Sequence, residues 1–311
     1  MSKTAFLFPG QGSQSVGMMS AIAAETGVVE ETFAEASSVL DYDLWDVAQN
    51  GPADRLNSTE VTQPALLVAG IATWRTWKSI GGSDPDFMAG HSLGEYTALV
   101  AAGALSFTDA VALVAQRGGL MQKATPAGSG AMAAVLGLDD GVLAEVCESA
   151  AQGQVVSCAN FNSPGQVVIA GEKAAVDRAC KLATEAGARR AIPLSVSVPS
   201  HCALMKPAAQ QMEKVLAAVE VKVPAIPVLH NVSTERSATA DEIREALAQQ
   251  LWQPVRWAAT VQKLLDDGVG RFAECGPGKV LAGLNRRICR PADTVALISA
   301  DVLKETLENW S

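Results

Sequence analysis

Apolar residues in this chain come in short unbroken runs, separated by longer stretches in which they recur at helical spacing. Buried strands and amphipathic helices produce this alternation. Residues 4–8 form a compact β-type run stopped by Pro9-Gly10, which predicts a first buried strand. Helices are expected from 21 to about 49, and a strong one over 62–78 with Pro64 near its first turn. The run Phe87-Met88-Ala89 then ends at Gly90, and the alanine- and leucine-rich residues 96–104 follow. This reads as strand, tight turn and buried helix. Thr108 is the expected cap of a further helix through Lys123, with Asp109 in its first turn.

The pattern then changes. A strand over 130–137, a helix over 139–150, a strand over 154–159, a turn over 160–165 and a strand over 166–170 are expected in order. A helix over 172–186, ended by Gly187, and a strand over 190–196 complete the set. The β-α-β-β-α-β order is that of the split-βαβ, ferredoxin-like unit. Beyond it the chain predicts helices over 204–219, 241–251, 257–267 and 279–289, with strands over 224–229, 270–274 and 295–299. The expected fold is therefore α/β. A large α/β-hydrolase-like domain with a parallel sheet, built from 1–125 and 199–311, carries a small inserted ferredoxin-like (βαββαβ) subdomain at 126–198.

Composition narrows the partners. With 311 residues, 49% of them hydrophobic, the chain can bury a large core. A formal net charge of -9 argues against non-specific nucleic-acid binding, which needs a basic surface. None of the six cysteines is spaced as Cys-X-X-Cys, so neither a zinc pattern nor a dense disulfide framework is expected. Reduced thiols in a cytoplasmic protein are the simplest reading. The apolar run after Met1 is too short for a signal peptide, and no stretch approaches the length of a membrane span. No membrane partner and no metal are expected.

The chemistry centres on Gly90-His91-Ser92-Leu93-Gly94-Glu95. A serine between two glycines at a strand-to-helix junction is the nucleophile-elbow pattern. The turn drives the serine backbone toward the left-handed region, and the positions two residues away have no room for side chains. The Leu93 amide, at the positive end of the new helix, is placed to bind a developing oxyanion. The loop Gly10-Gln11-Gly12-Ser13-Gln14 leaves further amides free at a strand's carboxyl end. A serine hydroxyl needs a base, and the chain has three histidines. His91 adjoins the serine and should point away from it, and His230 follows a strand. His201, at a polar junction just after the inserted unit, is the favoured base, with His230 second. Glu213, Glu235, Asp241 and Glu274 remain open as a third member, and a neutral amide or carbonyl is equally acceptable physically. Arg117 lies in an apolar helix, either as a snorkelling or paired residue or as a guanidinium fork for a substrate carboxylate.

These stretches, with Phe8-Pro9-Gly10, Gln116-Arg117-Gly118, Asn160-Phe161-Asn162-Ser163-Pro164-Gly165-Gln166, Ser197-Val198-Pro199-Ser200-His201, Gln250 and Glu274-Cys275-Gly276-Pro277-Gly278, occur in order over nearly the whole chain. Together they resemble the malonyl-CoA:acyl-carrier-protein transacylases of bacterial type II fatty-acid synthesis. The resemblance implies ping-pong transfer. Ser92, activated by His201, takes the malonyl group from malonyl-CoA, and the phosphopantetheine thiol of acyl-carrier protein removes it. It also implies an oxyanion hole made by the Gln11 and Leu93 amides, with Arg117 on the malonyl carboxylate. Gln250 would stand beside His201 in place of the missing acid, with His91 and Asn160 lining the site. No cofactor is implied, since both thioesters are substrates, and a monomer is expected. Because acyl-carrier proteins are acidic, one basic cluster is expected to dock them, either Arg286, Arg287 and Arg290 or Lys181, Arg189 and Arg190. The rival readings are a malonyl loader for polyketide assembly, a serine thioesterase or hydrolase, and a non-catalytic carrier-protein-binding relic.

Overall fold

The computed structural model describes residues 2–126, 128–196, 198–289 and 292–310. In chain order its strands are β1 (Lys3–Phe8), β2 (Phe87–Gly90), β3 (Gly130–Leu136), β4 (Val156–Ser163), β5 (Gln166–Glu172), β6 (Arg190–Pro193), β7 (Val228–Leu229), β8 (Val269–Glu274) and β9 (Asp293–Ala296). Five of them form a parallel sheet in the order β7-β2-β1-β8-β9. The central strand β1 is buried on both faces from Ala5 to Phe8, as a parallel strand covered by helices must be. Phe8 stands opposite Gly90, and Leu7 opposite Glu274. The carboxyl ends of β1, β2 and β8 therefore open together, and three loops leave the sheet at one edge.

The helix Thr59–Ser79 lies against this sheet and is buried on nearly every face. It begins three residues before the expected start, because the Ser58 carbonyl accepts from both the Val61 and Thr62 amides. Pro64 thus lies inside the helix, not in its first turn. The helix Phe107–Lys123 is capped by Ser106 in place of Thr108. The Ser106 hydroxyl accepts from the Asp109 amide at 3.2 Å, so the helix starts at Phe107 and Thr108 already lies in its first turn.

The other four strands form an antiparallel sheet in the order β4-β5-β3-β6. Helices Asp140–Ala151 and Lys173–Glu185 cover one face, around Val135, Leu143, Ile169 and Val176. Met132, Ala159, Val168 and Ala170 on the other face pack against Cys202, which belongs to the larger part of the chain. The turn expected over 160–165 is mostly strand. β4 runs to Ser163, and only Pro164-Gly165 turns. Polar Asn160 and Asn162 read as turn formers, but their backbone is held on both sides. β5 pairs with one edge, while Val255 donates to the Ala159 carbonyl and accepts from Phe161, each at 2.9 Å. This graft ties β4 to the segment just before the helix Trp257–Asp266, and both asparagines line one cavity.

Two further differences lie near the end. β9 covers Asp293–Ala296 instead of 295–299, and a helix, Ala300–Trp310, follows that the sequence pattern did not suggest. Its Leu303 is buried, and Trp310 meets the Phe6 ring edge-on with centroids 6.4 Å apart. Among the described residues no helix is long and apolar enough to cross a membrane.

Candidate active site

Ser92 occupies the turn between β2 and the helix Leu93–Ala101, with φ 52° and ψ −110°. Such a backbone is strained for a residue with a Cβ and must be held by its surroundings. Gly90 and Gly94 supply the close approach. A Cβ on Gly90 would lie 1.9 Å from the Gly94 carbonyl, and one on Gly94 would lie 1.9 Å from the Phe8 carbonyl oxygen. Asn231, just after β7, clamps the bend. Its Oδ1 accepts from the Ser92 amide, and its Nδ2 donates to the Gly90 carbonyl, both at 2.6 Å.

His201 is buried and also left-handed, at φ 62°. Its Nε2 lies 2.7 Å from Ser92 Oγ, and its Nδ1 lies 2.7 Å from the main-chain carbonyl of Gln250. A carbonyl can only accept, so Nδ1 carries the proton and Nε2 turns its lone pair to the serine hydroxyl. Gln250 thus meets the histidine with its backbone, while its side chain points elsewhere. Among the described residues no carboxylate hydrogen-bonds His201. Asp241 pairs with Arg244, and Glu274 receives the amides of Leu281 and Ala282. Burial, reinforced by the Arg117 charge, pushes the His201 pKa down from 6.5 to about 3.

Arg117 reaches the same cavity from the helix Phe107–Lys123 and is 1% exposed. Its two terminal nitrogens donate to Gln63 Oε1 at 2.9 Å and to Gln250 Oε1 at 2.8 Å, and the guanidinium lies 5.4 Å from the Tyr96 ring centroid. Its Nε is buried without an acceptor. Burial lowers its pKa, yet a guanidinium keeps its proton in proteins.

Behind the elbow lies a polar network that sequence reasoning missed. Glu95, on the helix that Ser92 begins, is wholly buried. It accepts from His230 Nδ1 at 2.7 Å, from the Asn231 amide at 3.0 Å and from Gln250 Nε2 at 2.8 Å. His230, the second candidate base, is committed here and not to the serine. The available signal was a carboxylate within an apolar helix, which stays buried only when paired.

The cavity, of about 470 Å3, is lined by Ser92, His201, Arg117, Gln11, Leu93 and Asn160, among others. His91 turns away from the serine. Its Nε2 bonds Asn162 Oδ1 at 2.8 Å while the ring tilts against Trp257. Among the described residues, no protein acceptor takes the amides of Gln11 and Leu93, and no cluster of His, Cys, Asp and Glu could hold a metal ion. Gln166 also lines a second cavity of about 570 Å3, into which Arg189, Arg190 and Arg287 converge. Arg287 donates to Gln166 there. The two basic clusters thus meet on one surface, without Lys181 in the lining. Arg290, and Ser197 of the motif before His201, lie outside the described residues.

Residues 5–299 match the acyl transferase domain family. The malonyl CoA-acyl carrier protein transacylase of Escherichia coli (strain K12) is 54% identical over 308 residues, covering 99% of this chain and all of that protein. The malonyl CoA-acyl carrier protein transacylase of Coxiella burnetii superposes with a TM-score of 0.98 at 48% identity, covering 99% of this chain and 97% of the other. A malonyl-transacylase solved in complex with a type II PKS acyl-carrier protein gives 0.97 at 53% identity, covering 99% and 100%. The chain belongs to the malonyl CoA-acyl carrier protein transacylase family of acyl transferases.

Proposed function

We propose that this enzyme moves the malonyl group from malonyl-CoA to the phosphopantetheine thiol of acyl-carrier protein through an ester on Ser92. The observation that carries the reading is the line from Ser92 Oγ through His201 to the Gln250 carbonyl, with Arg117 opening into the same cavity. His201 Nε2 takes the hydroxyl proton as Oγ attacks the thioester carbon. The oxyanion then forms against the Gln11 and Leu93 amides. On collapse the proton passes to the coenzyme A sulfur, and the carrier-protein thiol repeats the steps in reverse. A carbonyl partner stabilises an imidazolium less than a carboxylate does. That suffices here because a thiolate of pKa about 8.5 leaves easily and needs little help from an acid. Incubation with malonyl-CoA and holo-carrier protein should yield malonyl-carrier protein and free coenzyme A. Release of free malonate in place of transfer would favour a hydrolase instead. The same chemistry serves polyketide loading, and the resemblance to the malonyl-transacylase solved with a type II PKS carrier protein makes that the second reading. Relative loading rates of the two carrier classes decide between them.

The pH profile tests His201. Its neutral, base-competent form exists above its depressed pKa of about 3 and is lost only as pH falls through that value. Malonylation of Ser92 should therefore show no acid limb near 6.5, the ordinary histidine value. An inflection there, in the absence of unfolding, would show that the base is solvated in the working enzyme.

The carrier-protein surface is read as the Arg189, Arg190 and Arg287 cavity beside the active-site mouth. Arg190→Glu and Arg287→Glu should each raise the Michaelis constant for carrier protein several-fold, an effect that shrinks as salt is added. An unchanged constant in both variants would remove this surface from the proposal. The domain reading is of a hydrolase-like catalytic part, 1–125 with 199–311, and a ferredoxin-like insertion, 126–198. The separate sheets and their largely separate cores support it. Six free cysteines fit a cytoplasmic enzyme.

A further inference from the structure

Arg117 and Glu95 are 1% and 0% exposed, and they do not touch. Among the described residues no carboxylate forms an ion pair with Arg117. One primary amide stands between the two charges. Gln250 Oε1 accepts from Arg117 at 2.8 Å, while its Nε2 donates to Glu95 Oε2 at 2.8 Å and to the Ser92 carbonyl at 2.9 Å. Arginine offers only donors and a carboxylate only acceptors, so these neighbours fix which way the amide faces. A buried guanidinium without compensating charge is costly, while one paired directly with a carboxylate is satisfied but occupied. The arrangement avoids both outcomes. Glu95 compensates the charge through a polarised amide, and the guanidinium keeps an unmet N–H.

We propose that the Gln250 side chain determines specificity as a neutral spacer, holding the Glu95 carboxylate off Arg117 so that the guanidinium stays open to the substrate's carboxylate. This rests on the reading of Arg117 as the malonyl-carboxylate site. The Gln250 carbonyl that orients His201 belongs to the main chain and persists whatever side chain follows. Selectivity and base orientation are therefore separable at one position.

The test exchanges the two groups. The double variant Glu95→Gln with Gln250→Glu keeps composition, net charge and side-chain length, but sets a carboxylate directly on Arg117. The ratio of malonyl to acetyl loading on the enzyme should fall about tenfold, through a raised KM for malonyl-CoA, because the internal carboxylate now competes for the fork. A ratio within about threefold of the parent, or equal losses for both acyl groups, would overturn the spacer role.

Should the exchange fail to fold, Gln250→Glu alone gives a second readout. Its new carboxylate faces Arg117, Glu95 and the Ser92 carbonyl, with His201 and His230 beyond. Two adjacent carboxylates raise each other's pKa. The malonyl preference should then be low at alkaline pH and recover as the pH falls and the added group takes a proton. A pH-independent ratio in a folded Gln250→Glu protein would overturn the proposal. Arg117→Ala run alongside separates the two levels. If it leaves the malonyl preference intact, the reading of Arg117 fails. If it removes the preference while the exchange does not, only the spacer fails.

Discussion

Replacing Ser92 with alanine should abolish the covalent malonyl-enzyme and lower transfer by at least about 10⁴-fold, on the scale seen when the nucleophile of a serine catalytic unit is removed. The loss should fall on the chemical step and not on substrate binding. Ser92 occupies the turn after β2 with its hydroxyl 2.7 Å from His201, whereas Arg117, proposed to grip the malonyl carboxylate, stands on the helix Phe107–Lys123. An alanine at φ 52° inherits the same strained bend, and Asn231 still holds the main-chain amide at 92, so the elbow should keep its shape. Intact-mass measurement after exposure to malonyl-CoA alone checks both halves. The parent enzyme gains one malonyl group, and Ser92→Ala gains none. An adduct that survives in the variant would place the nucleophile elsewhere and sink the ping-pong route.

The parts of this site differ in how visible they were before the structure. Gly90 and Gly94 are legible because backbone packs on backbone there, a constraint that admits one residue type. His201 is visible only as the favoured one of three histidines, since its meeting with Ser92, 109 positions away, leaves no local trace. The group that orients His201 was legible only in part, since the resemblance put Gln250 beside it but not the atom that meets the ring. It is a main-chain carbonyl, and any residue at 250 would supply one. The side chain of Gln250, a residue that the resemblance set in place of the missing acid, serves Arg117, Glu95 and the Ser92 carbonyl instead. Gln63 and Asn231 come from other elements, and amides in a polar stretch look like surface. Glu95 differs, because a lone carboxylate in the apolar helix Leu93–Ala101 was a visible anomaly. The same local rules dictate the fold and fail where they compete. Asparagine at 160 and 162 signals a turn locally, but pairing on both edges of β4 outweighs that preference. The arginines at 190 and 287 stand far apart in the chain, and only the fold brings β6 and the helix Val280–Ile288 to one cavity.

Arg117→Ala should cost malonyl loading about ten- to a hundredfold while acetyl or longer acyl loading rises relative to it. A charge-assisted contact between guanidinium and carboxylate contributes about 1.5–3 kcal/mol, and an acetyl group has nothing to place there. Truncation also strands the Oε1 atoms of Gln63 and Gln250, each an acceptor that loses its donor in a buried setting. Some loss of thermal stability should accompany the change. Stability and preference are nonetheless distinct readouts, because a merely destabilised enzyme slows for both acyl groups and keeps their ratio. Lysine at 117 should not restore the parent ratio. One ammonium cannot hold two amides on either side and still present a planar fork toward the substrate. Competing malonyl-CoA and acetyl-CoA for Ser92, with the products resolved by mass, measures the ratio directly. If it is unchanged in Arg117→Ala, the arginine is a packing element stacked on Tyr96, and selection of the malonyl group must come from the walls of the cavity.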